Sequence, residues 1–415
     1  MFHTGFSHRF KSVTAACCWT LTLPWVLSAQ EAVQVAQGFQ HRNDQEFAAN
    51  FVGLGGLAYA PDGDVIVYDT GDVIRMDSAG DRTPLANFPE APFGSFVVLT
   101  PGGQSVIFGE STNGGLFEIE LGGGVPVEVD NLSFNYDMVF DDEGRGFVSA
   151  PAADFVGNEI YLFDNDPGTE TPNPSIIVDI PGFSGPVTVD GQGRLYYGTA
   201  HFPEDDTTFQ KIVRFSREQV DTAVAGSPVS YNDGEVLLSE LDGIFDMIFV
   251  GDNLFYSDLG FAANEGRIWK LDGDQNFLES VFVGITAPES LLSPSYLAHR
   301  PGDLDFDAGV GPDGGVIAAA YSNFSTVNRV GFFVPETFFV RGEVNGDGLV
   351  DLSDALAILT FLFLGGSTPD PVARADVDDN GFADATDAIL LLEYIFLGGP
   401  PPAAPYPEPG ADPAP

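Results

Sequence analysis

The sequence predicts an all-β propeller of six blades followed by a small all-α domain of two loop–helix repeats. Three observations predict it: a strand–turn–strand phrase that recurs six times, a scarcity of helix-length periodicity before residue 336, and an abrupt change after Pro335 to a pattern that returns 33 residues on. At 415 residues with 44% hydrophobic content, the chain can bury more than one core. Two domains are the natural division.

From residue 47 to 336 the chain runs in apolar alternations of about 8–12 residues broken by Gly, Asp and Asn, the signature of short strands. The first copy of the recurrent phrase spans 57–68, with Asp62-Gly63 as its turn. Further copies lie at 96–108, 138–148, 187–197, 247–256 and 310–317. Their Asp-Gly and Gly-Gly pairs supply the positive φ that tight hairpins need. A third strand follows each hairpin, as at 115–120 and 266–271. Units of about four strands at roughly 40–60-residue spacing read as propeller blades, with a pair of two-sheet sandwiches as the competing architecture. The rhythm and turns resemble the six-bladed NHL and SMP-30/gluconolactonase propellers.

Before this region, 1–29 reads as a signal peptide. Arg9 and Lys11 give the positive start, Val13 to Leu27 is largely apolar, and Ala29 offers a small residue before a cut near Gln30. A lipoprotein cut at Cys17 is a weaker alternative. Residues 30–46 read as an N-terminal connecting segment. Both cysteines, Cys17 and Cys18, fall inside the signal, so the exported chain carries no thiol. The apolar run is too short for a membrane span. These features imply a secreted bacterial protein, extracellular or at the cell surface.

Composition narrows the partners. Asp and Glu number 61 against 16 Lys and Arg, a net charge of −45, which repels phosphate backbones and anionic lipid. Nucleic acid is excluded as a natural partner; a solvated acidic surface, cation binding, or both account for the excess.

The densest carboxylate pattern lies past Pro335. Glu343, Asn345, Asp347, Asp351 and Asp354 occupy loop positions one, three, five, nine and twelve, with Gly348 at six and the Leu349 carbonyl available at seven. Asp376, Asp378, Asn380, Asp384 and Asp387 repeat it, with Gly381 at six and Phe382 at seven. This is the EF-hand calcium spacing: a hard cation takes six to eight oxygens, and only glycine easily makes the bend at six. An apolar helix follows each loop and ends in Gly-Gly, at Gly365-Gly366 and Gly398-Gly399.

No entering helix precedes either loop, and Pro369 and Pro371 forbid one before the second. A duplicated loop–helix with Asp at position twelve resembles the type I dockerin family. Over residues 338–403 that resemblance implies two Ca2+ sites, calcium-coupled folding, and protein–protein docking onto a cohesin-type module in a polysaccharide-degradation context. Two departures stand out: Glu343 occupies a position where the family prefers Asp. Positions ten and eleven, where dockerins often read their cohesin, hold Leu352-Ser353 and Ala385-Thr386. Residues 404–415 read as a Pro-rich tail.

Catalytic motifs are absent from the propeller region, so no catalytic residue and no organic cofactor is assigned. Tyr136-Asp137-Met138 and its echo Phe245-Asp246-Met247, with Asn135, Glu110 and Asp258 nearby in the repeat, could hold a divalent cation, as the SMP-30 resemblance implies. The competing reading has each Asp satisfying backbone N–H groups of the next blade. His41, His201 and His299 are the exported chain's only histidines, and His201 reads as a surface or hydrogen-bonded residue. Function divides accordingly: the propeller is a binding module for a carbohydrate or small molecule, or else a metal-dependent hydrolase, lactonase or other carbohydrate-active enzyme.

Overall fold

The computed structural model describes the chain from Ala32 to Gly410 apart from internal stretches, the longest being 43–50, 164–174, 200–210 and 300–316. The signal-peptide reading, His201 and nearly all of the 310–317 copy of the hairpin phrase therefore lie outside the described residues.

The chain is mostly a β-propeller followed by a small helical region. Its described strands form six sheets, opening in chain order with Leu54–Tyr59, Gly94–Leu99, Asp137–Phe140, Val187–Val189, Ile244–Val250 and Ser293–His299. Each of these first strands touches the first strand of the next sheet, and the sixth touches the first, so the six form a closed cycle. Within each sheet the chain steps outward through antiparallel neighbours, and the third sheet adds Val229–Ser230 as a parallel strand at its rim.

The second strands show how alternation builds this. Val65–Asp69 is buried along its whole length. Its odd and even residues serve different neighbours: Val65 and Val67 pack with Ala318, Ala320 and Val330 of the sixth sheet, while Ile66 and Tyr68 pack with Val106 and Phe108 of the second. The same split recurs at Phe147 and Val148, and at Tyr196 and Tyr197. A strand covered on both faces reads as a continuous apolar run, and each such side chain contributes about 1.5–3 kcal/mol of burial. Where first strands crowd closest, the Cβ of any residue at Gly55 would sit 2.6 Å from the Gly94 Cα, and one at Gly94 would run into the Tyr68 ring, so both positions need glycine.

Turns within the hairpins are fixed by acidic side chains. Asp141 Oδ1 accepts from the Glu143 and Arg145 amides while its Oδ2 accepts from Arg145 Nε, at 2.6 Å. Asp190 repeats this with Gln192 and Arg194. The Asp-x-x-Gly-Arg phrase is thus a self-closing turn.

Two sequence expectations need correction. The segment read as a connector supplies strands: Ala32–Val35 pairs with Leu278–Thr286 at the rim of the fifth sheet, and Phe39–Arg42 pairs with Asn328–Pro335 at the rim of the sixth. Short apolar–polar alternation at 32–42 was too brief to distinguish strand from link. A helix, α1 (Arg217–Val224), also follows the third strand of the fourth sheet and packs on the outer strands of the third sheet, capped by Ser216 and Gln219 and buried through Val220 and Ala223.

The helical region holds α2 (Leu352–Leu364) and α3 (Ala385–Leu397), whose equivalent residues Ile358 and Leu391, Ala355 and Ala388, and Val344 and Val377 meet in one core. Residues read as a separate tail belong to this region. The Arg341 amide donates to the Pro405 carbonyl at 2.7 Å, Phe339 and Gly410 exchange two backbone hydrogen bonds, and the Tyr394 and Tyr406 hydroxyls lie 2.6 Å apart. Proline-rich sequence hides such pairing, because the carbonyls it contributes carry no periodic signal.

Candidate functional site

The two acidic loops are built by the same local chemistry. Asp351 and Asp384 cap α2 and α3, accepting from the Ser353 and Thr386 amides at 2.7 and 2.6 Å. Asp354 and Asp387, one turn inside, answer with Oδ2 to the Asp351 and Asp384 amides and with Oδ1 to the Val344 and Val377 amides. This capping box folds each loop back on its helix. It also draws position twelve out of water: Asp354 and Asp387 are fully buried, and burial raises the Asp387 pKa, partly offset by its backbone donors. Gly348 and Gly381 sit at φ of 82° and 89°, making the bend at position six.

In the second loop, carboxylate oxygens of Asp376, Asp378 and Asp387 lie within 4.8 Å of one another. Like charges held so close need a cation between them or a shared proton. An all-oxygen donor set with two buried members suits a hard divalent ion, so the residues fit calcium. Asp347 and Asn345 in the first loop, and Asn380 in the second, each accept from an amide two residues on, which holds the loop turns. Position one differs between the loops. Asp376 accepts from the Asn380 and Gly381 amides and lies 3.9 Å from Arg341, whereas Glu343 accepts from the Gly348 amide and is in a close ion pair with Arg374.

Sequence reasoning passed over two arginines. Arg341 is fully buried, and its guanidinium donates to the carbonyls of Ala404, Ala373 and Asp376 and to the Asp379 carboxylate. Arg374 is its equivalent 33 residues on and reaches back to Glu343. The repeat itself pairs them, so the signal was present.

The propeller region holds the second candidate. A cavity of about 350 Å³ is lined by the first strands of all six sheets. Asp137 and Asp246 border it. Asp137 accepts from its neighbour Met138 and, across the sheet boundary, from the Val187 amide at 2.8 Å. Asp246 does the same with Met247 and with Leu297, at 2.6 Å. Both carboxyls lie deep in the fold with a part of their surface open to the cavity, and burial raises both pKa values, against the pull of those amides. Tyr136, whose hydroxyl donates to the Phe245 carbonyl, and Tyr296, stacked edge-on to Phe245, complete this end. His299 also faces the cavity, its pKa lowered by burial to about 4. Of the neighbouring candidates, Asn135 Nδ2 donates to the Glu110 carbonyl, the Glu110 carboxylate accepts from the Asn113 amide, and Asp258 accepts from Trp269. None of the three borders the cavity.

Residues 341–396 match the family model of the dockerin type I domain. This segment is a dockerin type I domain. The match covers the dockerin region alone; no curated protein matches the chain. Upstream of it, the propeller resembles solved structures at low identity. A PQQ-bound aldose sugar dehydrogenase from Streptomyces coelicolor is 13% identical, with 74% of this chain and 99% of that one covered and a TM-score of 0.49. A putative gluconolactonase is 14% identical over 72% and 93%, with a TM-score of 0.47, and a regucalcin from Agrobacterium tumefaciens 13% identical over 69% and 90%, at 0.46. These are likenesses of architecture, and no chemistry is carried over from them.

Around the dockerin helices, Leu356 and Ile389, and Phe363 and Phe396, form symmetric pairs of exposed apolar residues. Leu352 and Ser353 at positions ten and eleven of the first loop are exposed as well, as is Thr386 of the second. No helix among the described residues is long and apolar enough to cross a membrane.

Proposed function

We propose that this is a secreted calcium-binding attachment protein: the dockerin takes two calcium ions and docks on a cohesin-type partner, and the propeller, closed as six blades, is a binding module for a carbohydrate or small molecule. The first ion would be held by Glu343, Asn345, Asp347, Asp351, Asp354 and the Leu349 carbonyl, the second by Asp376, Asp378, Asn380, Asp384, Asp387 and the Phe382 carbonyl. The ion's role is charge neutralisation, which lets the loops close on the helices. The observation that carries the reading is the convergence of Asp376, Asp378 and Asp387. Paired exposed side chains on both helices support a protein-docking surface.

The rival is a propeller enzyme, a hydrolase or lactonase using a channel metal at Asp137 and Asp246. Four backbone amides already occupy those four oxygens, which favours a structural role for the pair. Both parts are tested on the full chain. Stripping divalent ions is expected to lower the helical circular dichroism signal and abolish capture by an immobilised type I cohesin, with calcium restoring both. An unchanged signal in chelator sinks the dockerin part. Loss of a screened lactonase or glycanase activity in Asp137→Asn or Asp246→Asn, with the native circular dichroism spectrum retained at the assay temperature, overturns the binding-module part.

A further inference from the structure

The repeat relates Arg341 to Arg374 and Asp379 to Gly346, each pair 33 residues apart. Each arginine crosses to the other repeat's loop. Arg341 finds an acid at position four: its Nη2 donates to Asp379 Oδ1 at 2.8 Å, while its Nη1 stays 3.9 Å from the Asp376 carboxylate. Asp376 keeps only this longer ion pair with Arg341, beside its two loop amides and the carboxylate cluster. Arg374 meets Gly346 at the corresponding place, which offers no acid. It bonds instead to Glu343, through both the carbonyl, at 3.1 Å, and the carboxylate. Glutamate carries one methylene more than aspartate, so the longer side chain at position one reaches the guanidinium. Glu343 is 5% exposed, which leaves this pair little screening by water.

The loops match in formal charge, each with four carboxylates among its side-chain ligands. They differ in the side chains at positions one, three and five, Glu343, Asn345 and Asp347 against Asp376, Asp378 and Asn380, and in which acid the arginine reaches most closely. Position three is an acid in the second loop alone, and among the described residues that loop brings three acids together. We infer that the two calcium sites are unequal: Arg374 is a built-in competitor for the cation at Glu343, and Asp379 is the decoy that takes the close contact of Arg341 and leaves Asp376 the longer one. This rests on the dockerin reading of the loops. Its consequence is stepwise loading, in which the second loop fills first and the first loop responds only at higher calcium.

The test is calorimetric titration of the full chain, freed of divalent ions, with calcium alone. The wild type is expected to show two steps, the weaker by about tenfold or more, the scale on which groups behind the ligands tune metal affinity. Asp378→Asn is expected to weaken the tight step only, assigning it to the second loop. Gly346→Asp, which supplies Arg374 with its missing partner, is expected to tighten the weak step by roughly tenfold, and Arg374→Gln to do the same. Aspartate is already held at φ of 60° at the equivalent Asp379, so the first substitution fits the backbone. Circular dichroism at saturating calcium identifies a variant that fails to fold, and Gly346→Asp, which removes no contact, then decides alone. Two equal wild-type steps, or a weak step unmoved by Gly346→Asp, overturn the inference while leaving the dockerin reading intact. A chain that takes up no calcium overturns both.

Discussion

A guanidinium sealed from water is expensive unless its donors are satisfied, and Arg341 finds three carbonyls and one carboxylate in the second loop, the turn before it and the C-terminal segment. It is thereby the residue on which loop two, the turn before it and the chain end converge. Arg341→Met is expected to cost about 3–5 kcal/mol, because the Asp379 charge and three carbonyl groups lose their partner together. Arg341→Lys is expected to recover little of it, since an ammonium cannot present a planar fork of donors to four acceptors. Denaturant unfolding followed by the helical signal measures both; a loss below about 1 kcal/mol for the methionine variant contradicts the role. None of this was legible as a site in the sequence. The arginine spacing was visible, but which acid an arginine reaches depends on whether position four is Asp379 or Gly346, a matter of loop path rather than pattern.

At the level of elements, legibility followed periodicity. The dockerin helices were readable because their apolar runs are bounded by cap residues at both ends, and the structure places left-handed glycines, Gly365 and Gly398, both at φ of 70°, where the Gly-Gly pairs stand. Gly398→Ala is expected to destabilise the domain by about 1 kcal/mol, the cost of holding an L-residue in that conformation, with Gly365→Ala similar. Nothing lies within 4 Å of the added methyl at either position, so the effect is conformational and not steric. Equal unfolding midpoints for variant and parent would contradict it. Blade hairpins were equally legible, since an Asp-x-x-Gly-Arg turn closes on itself. Helix α1 and the two N-terminal strands were not, because each is shorter than the window in which a period can be counted, and each is held by partners far along the chain. Val220 and Ala223 gain their burial from a core that includes Ile177 and Tyr231, which no local pattern connects to them.

Closure of the ring is a property of the whole molecule, and two acids take part in it. Asp137 ties the third sheet to the fourth and Asp246 ties the fifth to the sixth, each through a backbone amide of the next first strand. The sequence showed the echo of the two Asp-Met pairs but could not decide between latch and metal ligand, because both uses need a carboxylate at the start of an inner strand. Burial, together with the mutual repulsion that reaches Asp246 from Asp137, raises their pKa values. An acid whose folded pKa is raised keeps its proton in the native state at a pH where the unfolded chain has lost it. The stability linked to it is therefore present near the ordinary carboxylate value of about 4 and is lost as pH climbs toward the raised folded value. Wild-type protein is thus expected to lose melting temperature from about pH 4 toward neutrality relative to Asp137→Asn/Asp246→Asn. The double variant sits lower at acidic pH, because each amide keeps only one acceptor oxygen for two donors, at about 1–2 kcal/mol per site. Above the raised pKa the gap between the two proteins narrows, since the variant carries no charge to bury. Carboxylates elsewhere in this acidic chain titrate alike in both proteins, so the difference between their curves isolates the pair. Melting curves that stay a constant distance apart across that range would show that neither latch holds its proton, and that water reaches the ring's inner strands freely.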